Sequence, residues 1–406
     1  MSALNTERHP TAILMILTLF AIVGPVSIDI FSPSLPAITE YFGSNSATTQ
    51  WSVGIFMLGF SLSMLIVGPL ADRLGRKKTL FLGYTLYLLA TAATLLTDNI
   101  YLFIAARFAQ ALFGCFGTAV ARILAKDYYR DEMEVRMLSY ISACLTVAPM
   151  LAPIAGGFIQ EYAGWQYNFL AMGTMAVIAI MSLLLIPEKH QVSKSSGHPI
   201  LSGYKEVLTD WRYLRFTIAA GTAFSGAFVF VAAGPFVMIS QLGLAPKFYG
   251  FLFALAIASY LFSASFGPKL NDRLGRKKST RVAWITLATG AGISFVTAWW
   301  SHGSSILGYM VGIMVFELGL GLFMPLCQAR ATEHISKNVG TAAGLIFFIE
   351  MLLATMVTGL VGLLPEMGTL TLASVTVAAA LVAGFCLQKK TMTLFELKHK
   401  HSEAHF

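Results

Sequence analysis

Asp72-Arg-Leu-Gly-Arg-Lys-Lys78 recurs, residue for residue, as Asp272-Arg-Leu-Gly-Arg-Lys-Lys278, 200 positions further along a chain of 406 residues. Seven consecutive identities are not a chance match, so the chain reads as a duplicated unit. Each copy follows a Gly-Pro, Gly68-Pro69 and Gly267-Pro268, with one extra residue after the second. A glycine inside the basic run lets the chain reverse tightly, and an acid beside it can meet a helix N-terminus or an arginine. Contacts of that kind form in one conformation and break in another. Gly68, Asp72, Arg73, Gly75 and Arg76, with Asp272 and Arg273, are therefore candidate gate residues. The plainer alternative, that any short loop collects cations, does not explain the repeat.

Working outward, apolar runs fall at about 11 to 38, 49 to 70, 79 to 97, 100 to 124, 137 to 160 and 164 to 186, then 213 to 240, 248 to 268, 282 to 300, 305 to 329, 339 to 362 and 367 to 388. Each is long enough for the ~20 residues that a helix needs to cross a bilayer. The repeated turn joins the second run to the third in each set of six. The predicted fold is therefore an all-α membrane protein of twelve transmembrane helices in two pseudo-symmetric six-helix bundles. Residues 1–186 form the first bundle, 187–212 a polar linker rich in Ser, Lys, Gly and Pro, and 213–406 the second bundle with a tail.

Composition agrees. Charged residues make up 12% of the chain and hydrophobic ones 56%, whereas soluble domains carry about 25% charged residues. The net charge of +8 invites a nucleic-acid reading, but the cations sit in short segments between apolar runs, which is a topology signal. Of the 28 Lys and Arg residues, all but Arg107 and Lys247 lie on the side of the N-terminal segment, the even-to-odd loops and the tail. That distribution predicts both termini on the cytoplasmic side of the membrane. Cys115, Cys144, Cys327 and Cys386 lie inside apolar runs without zinc or disulfide spacing. The first apolar run is too long for a signal peptide and is expected to be a retained helix. His399, His401 and His405 are read as a solvated tail, so neither metal nor cofactor is expected.

Four ionisable residues fall deep within apolar runs: Asp29, Arg107, Glu317 and Glu350. Each costs ~2.5 to 3.5 kcal/mol at mid-membrane on insertion scales for Asp and Arg, so each should face a cavity or a partner. At 1.5 Å per residue, Asp29 and Arg107 reach similar depths, and an ion pair between them is one expectation. Gln110, one turn from Arg107, shares its face. Glu317 and Glu350 both fall near mid-membrane and are expected to be neighbours. These five are the candidate functional residues, Glu317 and Glu350 as acids that can carry a proton; a fixed ion pair and hydrogen-bonded packing acids are the structural alternatives.

Gly68-Pro-Leu-Ala-Asp72-Arg-Leu-Gly75-Arg76-Lys-Lys78 resembles the signature of the major facilitator superfamily. Ser27-Ile-Asp29-Ile-Phe-Ser-Pro33-Ser-Leu35-Pro36, Arg107-Phe-Ala-Gln110 and Ala148-Pro149-Met-Leu-Ala152-Pro153-Ile-Ala-Gly156-Gly157 are similar to its twelve-span drug:proton antiporters, nearest the bicyclomycin-resistance and chloramphenicol-efflux branch. Ala111 and Ala152 stand where that branch often has glycine. The resemblance implies two bundles that rock about a central cavity. It ties the acid of span 1 and the arginine of span 4 to coupling or recognition, and it implies that spans 5 and 8 meet. Small residues at four-residue spacing, Ala148, Ala152 and Gly156 in span 5 and Gly250, Ala254 and Ala258 in span 8, suit such a sliding surface, with Pro149 and Pro153 adding kinks. Static packing is the alternative. Phe31, Phe224, Phe228, Phe236 and Phe323 are candidate cavity aromatics.

The expected function is proton-coupled export of amphiphilic small molecules, antimicrobials among them, by alternating access. The alternative is export of an endogenous metabolite such as a siderophore. The expected partners are a small-molecule substrate, protons and the lipid bilayer, with no nucleic acid, and the chain is expected to act as a monomer. Residue sets for enzymatic catalysis are missing from the sequence, and an enzyme is not expected.

Overall fold

The computed structural model describes residues 9–187, 207–335, 339–364 and 368–388. Most of the expected linker, the tail and its histidines lie outside these. The described residues are helical throughout and contain no strand. Helix α1 (Pro10–Asp29) runs through a 3-10 turn (Ser32–Ser34) into α2 (Leu35–Tyr41), forming span 1. Pro33 and Pro36 explain this break, since proline removes a backbone donor and clashes with the preceding turn. Spans 2 and 3 are α3 (Ser46–Leu74) and α4 (Arg76–Leu96), and span 4 is α5 (Ile100–Gly114) with α6 (Phe116–Tyr128), interrupted at Cys115. Spans 5 and 6 are α7 (Asp131–Tyr162) and α8 (Trp165–Ser182).

In the second half, α9 (Trp211–Pro235) continues through a π-helical stretch, Phe236–Gln241. Then follow α10 (Pro246–Trp300), α11 (Ile306–Thr332), α12 (Val339–Gly362) and α13 (Thr369–Leu387). Ten helical stretches of the described residues are long and apolar enough to cross a membrane. Gly275, at φ 73°, divides the 55-residue α10 into two spans. Helix α8, whose first turns carry Gln166 and Asn168, completes the twelve. Side chains cap several starts: Asn45 accepts from the Thr48 amide at 2.7 Å, Asn99 from the Tyr101 amide at 2.8 Å, and Ser305 from the Gly308 amide at 3.1 Å.

Two compact units result. One takes in the described part of Met1–Ser196 with Val231–Leu255 and Thr358–Leu364; the other comprises the rest. In the first, Pro25 leaves the carbonyl four residues earlier without its helical donor. That carbonyl belongs to Ala21, and Thr118 Oγ1 donates to it at 2.8 Å, so a helix defect is repaired from span 4. The core of the second unit gathers Tyr213, Phe216, Leu287, Phe316, Phe323 and Cys327.

Candidate functional site

Arg107 is completely buried in the first unit. The break after α1 leaves its last carbonyls short of helical donors, and a cation suits that negative end of the helix dipole. Arg107 Nη2 donates to the Ser27 carbonyl at 2.9 Å and Nη1 to Gln110 Oε1 at 2.8 Å. Gln110 Nε2 in turn donates to Thr91 Oγ1 at 2.7 Å, and Ser27 Oγ and the Tyr87 hydroxyl lie 2.6 Å apart. The guanidinium carbon sits 4.0 Å from the Phe31 ring centre and 4.3 Å from that of Phe56, a cation–π sandwich that lessens the cost of burial. Arg107 Nε has no hydrogen-bond partner.

The expected Asp29–Arg107 pair is therefore not formed. Asp29 is the last residue of α1 and is buried at 6% exposure, but the guanidinium is turned two residues back, onto the Ser27 carbonyl. Spacing correctly put Arg107 beside Gln110. The backbone carbonyl that displaces the acid depends on where α1 breaks, which equal depths alone could not reveal.

In the second unit Glu350 and Glu317 are both buried. Gln328 Nε2 donates to the two carboxylate oxygens of Glu350 at 3.0 and 3.3 Å. Glu317 lies in α11 and Glu350 in α12, both in the second unit. Gln328 escaped the sequence reading. Gln328 falls three turns beyond Glu317 on the same helix, the one signal that might have found it.

Helices α7 and α10 do meet within the first unit. A Cβ at Gly250 would overlap the Pro153 carbonyl, and one at Gly157 would come 2.5 Å from that of Pro246. The expected stripe is split, however: Gly156 faces the Ile30 carbonyl in span 1, and its neighbour Gly157 faces α10. Ala152 is buried, while Ala254 is half-buried. Lys247 Nζ closes this contact with an ion pair to Glu161 at 2.6 Å. Lys247 was one of two cations outside the topology pattern, and that oddity was its signal.

The two basic turns share a backbone and differ in partners. Gly75 and Gly275 take φ 88° and 73°, a region that favours glycine. Arg76 Nη1 donates to the Ala71 carbonyl and to Asp72, both at 2.9 Å, and Nε to Asp127 at 3.3 Å. In the second turn Arg276 pairs with Glu333 at 2.8 Å. Asp127 and Glu333 close spans 4 and 10 and were not anticipated.

Among the aromatics, Phe31 packs on Arg107, Phe224 stacks on Phe228 at 5.7 Å, and Phe236 is buried. Phe323 is buried in the hydrophobic core of its unit, and Phe224 packs against the same cluster.

A duplicated all-α membrane protein with buried charge inside its bundles fits a transporter. The family model described as "Major Facilitator Superfamily" matches residues 15–359, and the chain belongs to that family. It is 24% identical over 352 residues to the "Chloramphenicol resistance protein CraA" of Acinetobacter baumannii, covering 86% of this chain and 84% of that one. It is also 24% identical over 371 residues to the "Bicyclomycin resistance protein homolog" of Haemophilus influenzae, covering 88% and 90%. A solved D-xylose-proton symporter superposes with a TM-score of 0.72 at 14% identity, covering 92% of this chain and 97% of that one, a likeness of fold alone.

Proposed function

We propose that this multi-pass membrane transporter exports amphiphilic small molecules, antimicrobials among them, in exchange for incoming protons. Supporting this reading are relatives named for chloramphenicol and bicyclomycin resistance. The observation that carries the coupling is a set of buried acids with no cation bound to them, Asp29 in one half and Glu317 and Glu350 in the other. A buried carboxyl can carry a proton, and a transport cycle exposes it to each side in turn. Arg107 and Gln110 form the polar floor of the first half. Substrate and proton must favour different states, since equal affinity for both shifts nothing.

In this reading both termini are cytoplasmic, the sequence halves 1–186 and 213–406 are the moving bodies, and the turns at Asp72 and Asp272 form the cytoplasmic gate. The α7–α10 contact latched by Lys247 forms the outer one. At ~100 mV one proton supplies ~2.3 kcal/mol, which sustains roughly a 40-fold gradient of a neutral drug.

The test uses proteoliposomes loaded with acid buffer and a pH dye. Adding chloramphenicol or a cationic antimicrobial should release protons with wild-type protein and not with Asp29→Asn. Silence of folded wild-type protein across a drug panel would refute drug:proton exchange and turn attention to a metabolite.

A further inference from the structure

A pocket of about 590 Å³ opens in the second unit at the helix ends that carry the 272–278 turn. Arg215 from the first turns of α9, Lys277 and Arg281 from α10 just after Gly275, and Arg330 from the last turn of α11 all line it. Trp284 and Gln388 contribute to the wall, and no acid belongs to the lining. Four cations that face one space repel each other unless something negative joins them.

The protein leaves the innermost of these cations, Arg215, incompletely satisfied. Arg215 is buried at 7% exposure, yet its Nε and Nη1 have no hydrogen-bond partner. The Arg215 and Arg330 guanidinium carbons both stand near the Phe216 ring centre, at 4.4 and 4.2 Å, so one ring braces two like charges. The acid that Arg330 feels, Glu333, is already bonded to Arg276 at 2.8 Å. A buried guanidinium with free donors is costly unless an anion completes it.

We propose that this pocket binds a phosphate group. Phosphate suits the planar Arg donors, which bond it in pairs, and the ammonium of Lys277, which adds a point charge. The pocket lies at helix ends beside the exposed side chain of Ile285 and the half-buried Leu387, so an acyl chain can continue along an apolar wall. The Trp284 indole N–H is held by the Ala380 carbonyl at 2.9 Å, which fixes its ring as that wall. Basic pockets between transmembrane helices take anionic headgroups. An anionic phospholipid and a soluble phosphate compound offer the same chemistry, and the experiment separates them.

The full chain is stripped of lipid in detergent. It is then titrated with phosphatidylglycerol and phosphatidylcholine by native mass spectrometry, and with inorganic pyrophosphate by calorimetry. Arg215→Gln is compared with wild type, and the exposed pair K277Q/R281Q serves where the buried change impairs folding. Affinity should fall about fivefold for each cation removed. Loss of phosphatidylglycerol adducts in the variants, with phosphatidylcholine unchanged, identifies a lipid site. Loss of pyrophosphate binding alone identifies a soluble ligand. Wild type and variants binding both anionic probes equally, or neither binding to wild type, overturns the proposal.

Discussion

The two halves of this transporter share a turn and differ in their buried charge. In the first, the centre is a cation, Arg107, held by a helix end, an amide and two aromatic rings. In the second it is a pair of acids, Glu317 and Glu350, of which Glu350 is held by Gln328. The two halves share that turn, while their buried hydrogen-bond centres differ, an arginine in one and a carboxylate in the other. The turns differ as well. Arg76 is 13% exposed and bridges two acids, whereas Arg276 is 51% exposed and meets one. A half-buried bridging arginine resists water and salt; an exposed one does not.

The largest expected effect tests which half carries the proton. Asp29→Asn should abolish substrate-driven proton release while leaving folded protein in the membrane, and Glu350→Gln should slow it without abolishing it. The reverse ranking in the proteoliposome assay would move proton coupling to the second half. Arg107→Lys comes next. It keeps the charge but not the planar fork that reaches Ser27 and Gln110 together, and should cost ~1 to 3 kcal/mol of stability, read as a lowered Tm. An unchanged Tm would mean that the Ser27 carbonyl needs no arginine.

The turns give a smaller contrast. Arg76→Ala should cut turnover roughly tenfold by releasing Ala71, Asp72 and Asp127 at once, and Arg276→Ala less than about twofold, as an exposed pair contributes only ~0 to 1 kcal/mol. Equal effects would show that the repeat acts as a symmetric gate despite its different partners. The smallest effect is expected from Lys247→Gln. Transport should change by less than about twofold, and the difference should shrink further in high salt. A large, salt-independent loss would make Glu161–Lys247 a fixed structural tie rather than a latch.

Much of this was legible because membranes impose simple rules. Twelve apolar runs and a repeated basic turn were enough for the span count, since each helix must satisfy its own backbone within lipid. That Glu317 and Glu350 are buried followed from their place well inside apolar runs. The partners of Arg107 did not, because they depend on the azimuth of span 1 after its proline-rich break. Nor could spacing divide Gly156 from Gly157, whose adjacent Cα atoms point at different helices.

By itself, then, the amino-acid sequence determined the helices, the repeat of their basic turn and which charges fall inside apolar helices, all consequences of hydropathy and the length of a span. Tertiary structure alone decided which of those charges touch. It turned Arg107 to a carbonyl instead of Asp29, brought Gln328 to Glu350, and left two donor nitrogens of Arg215 without a hydrogen-bond partner in a basic pocket. The physical reason is range. Partition into lipid is set residue by residue along the chain, whereas a hydrogen bond forms only within about 3 Å and needs two helices to be rotated and seated against each other.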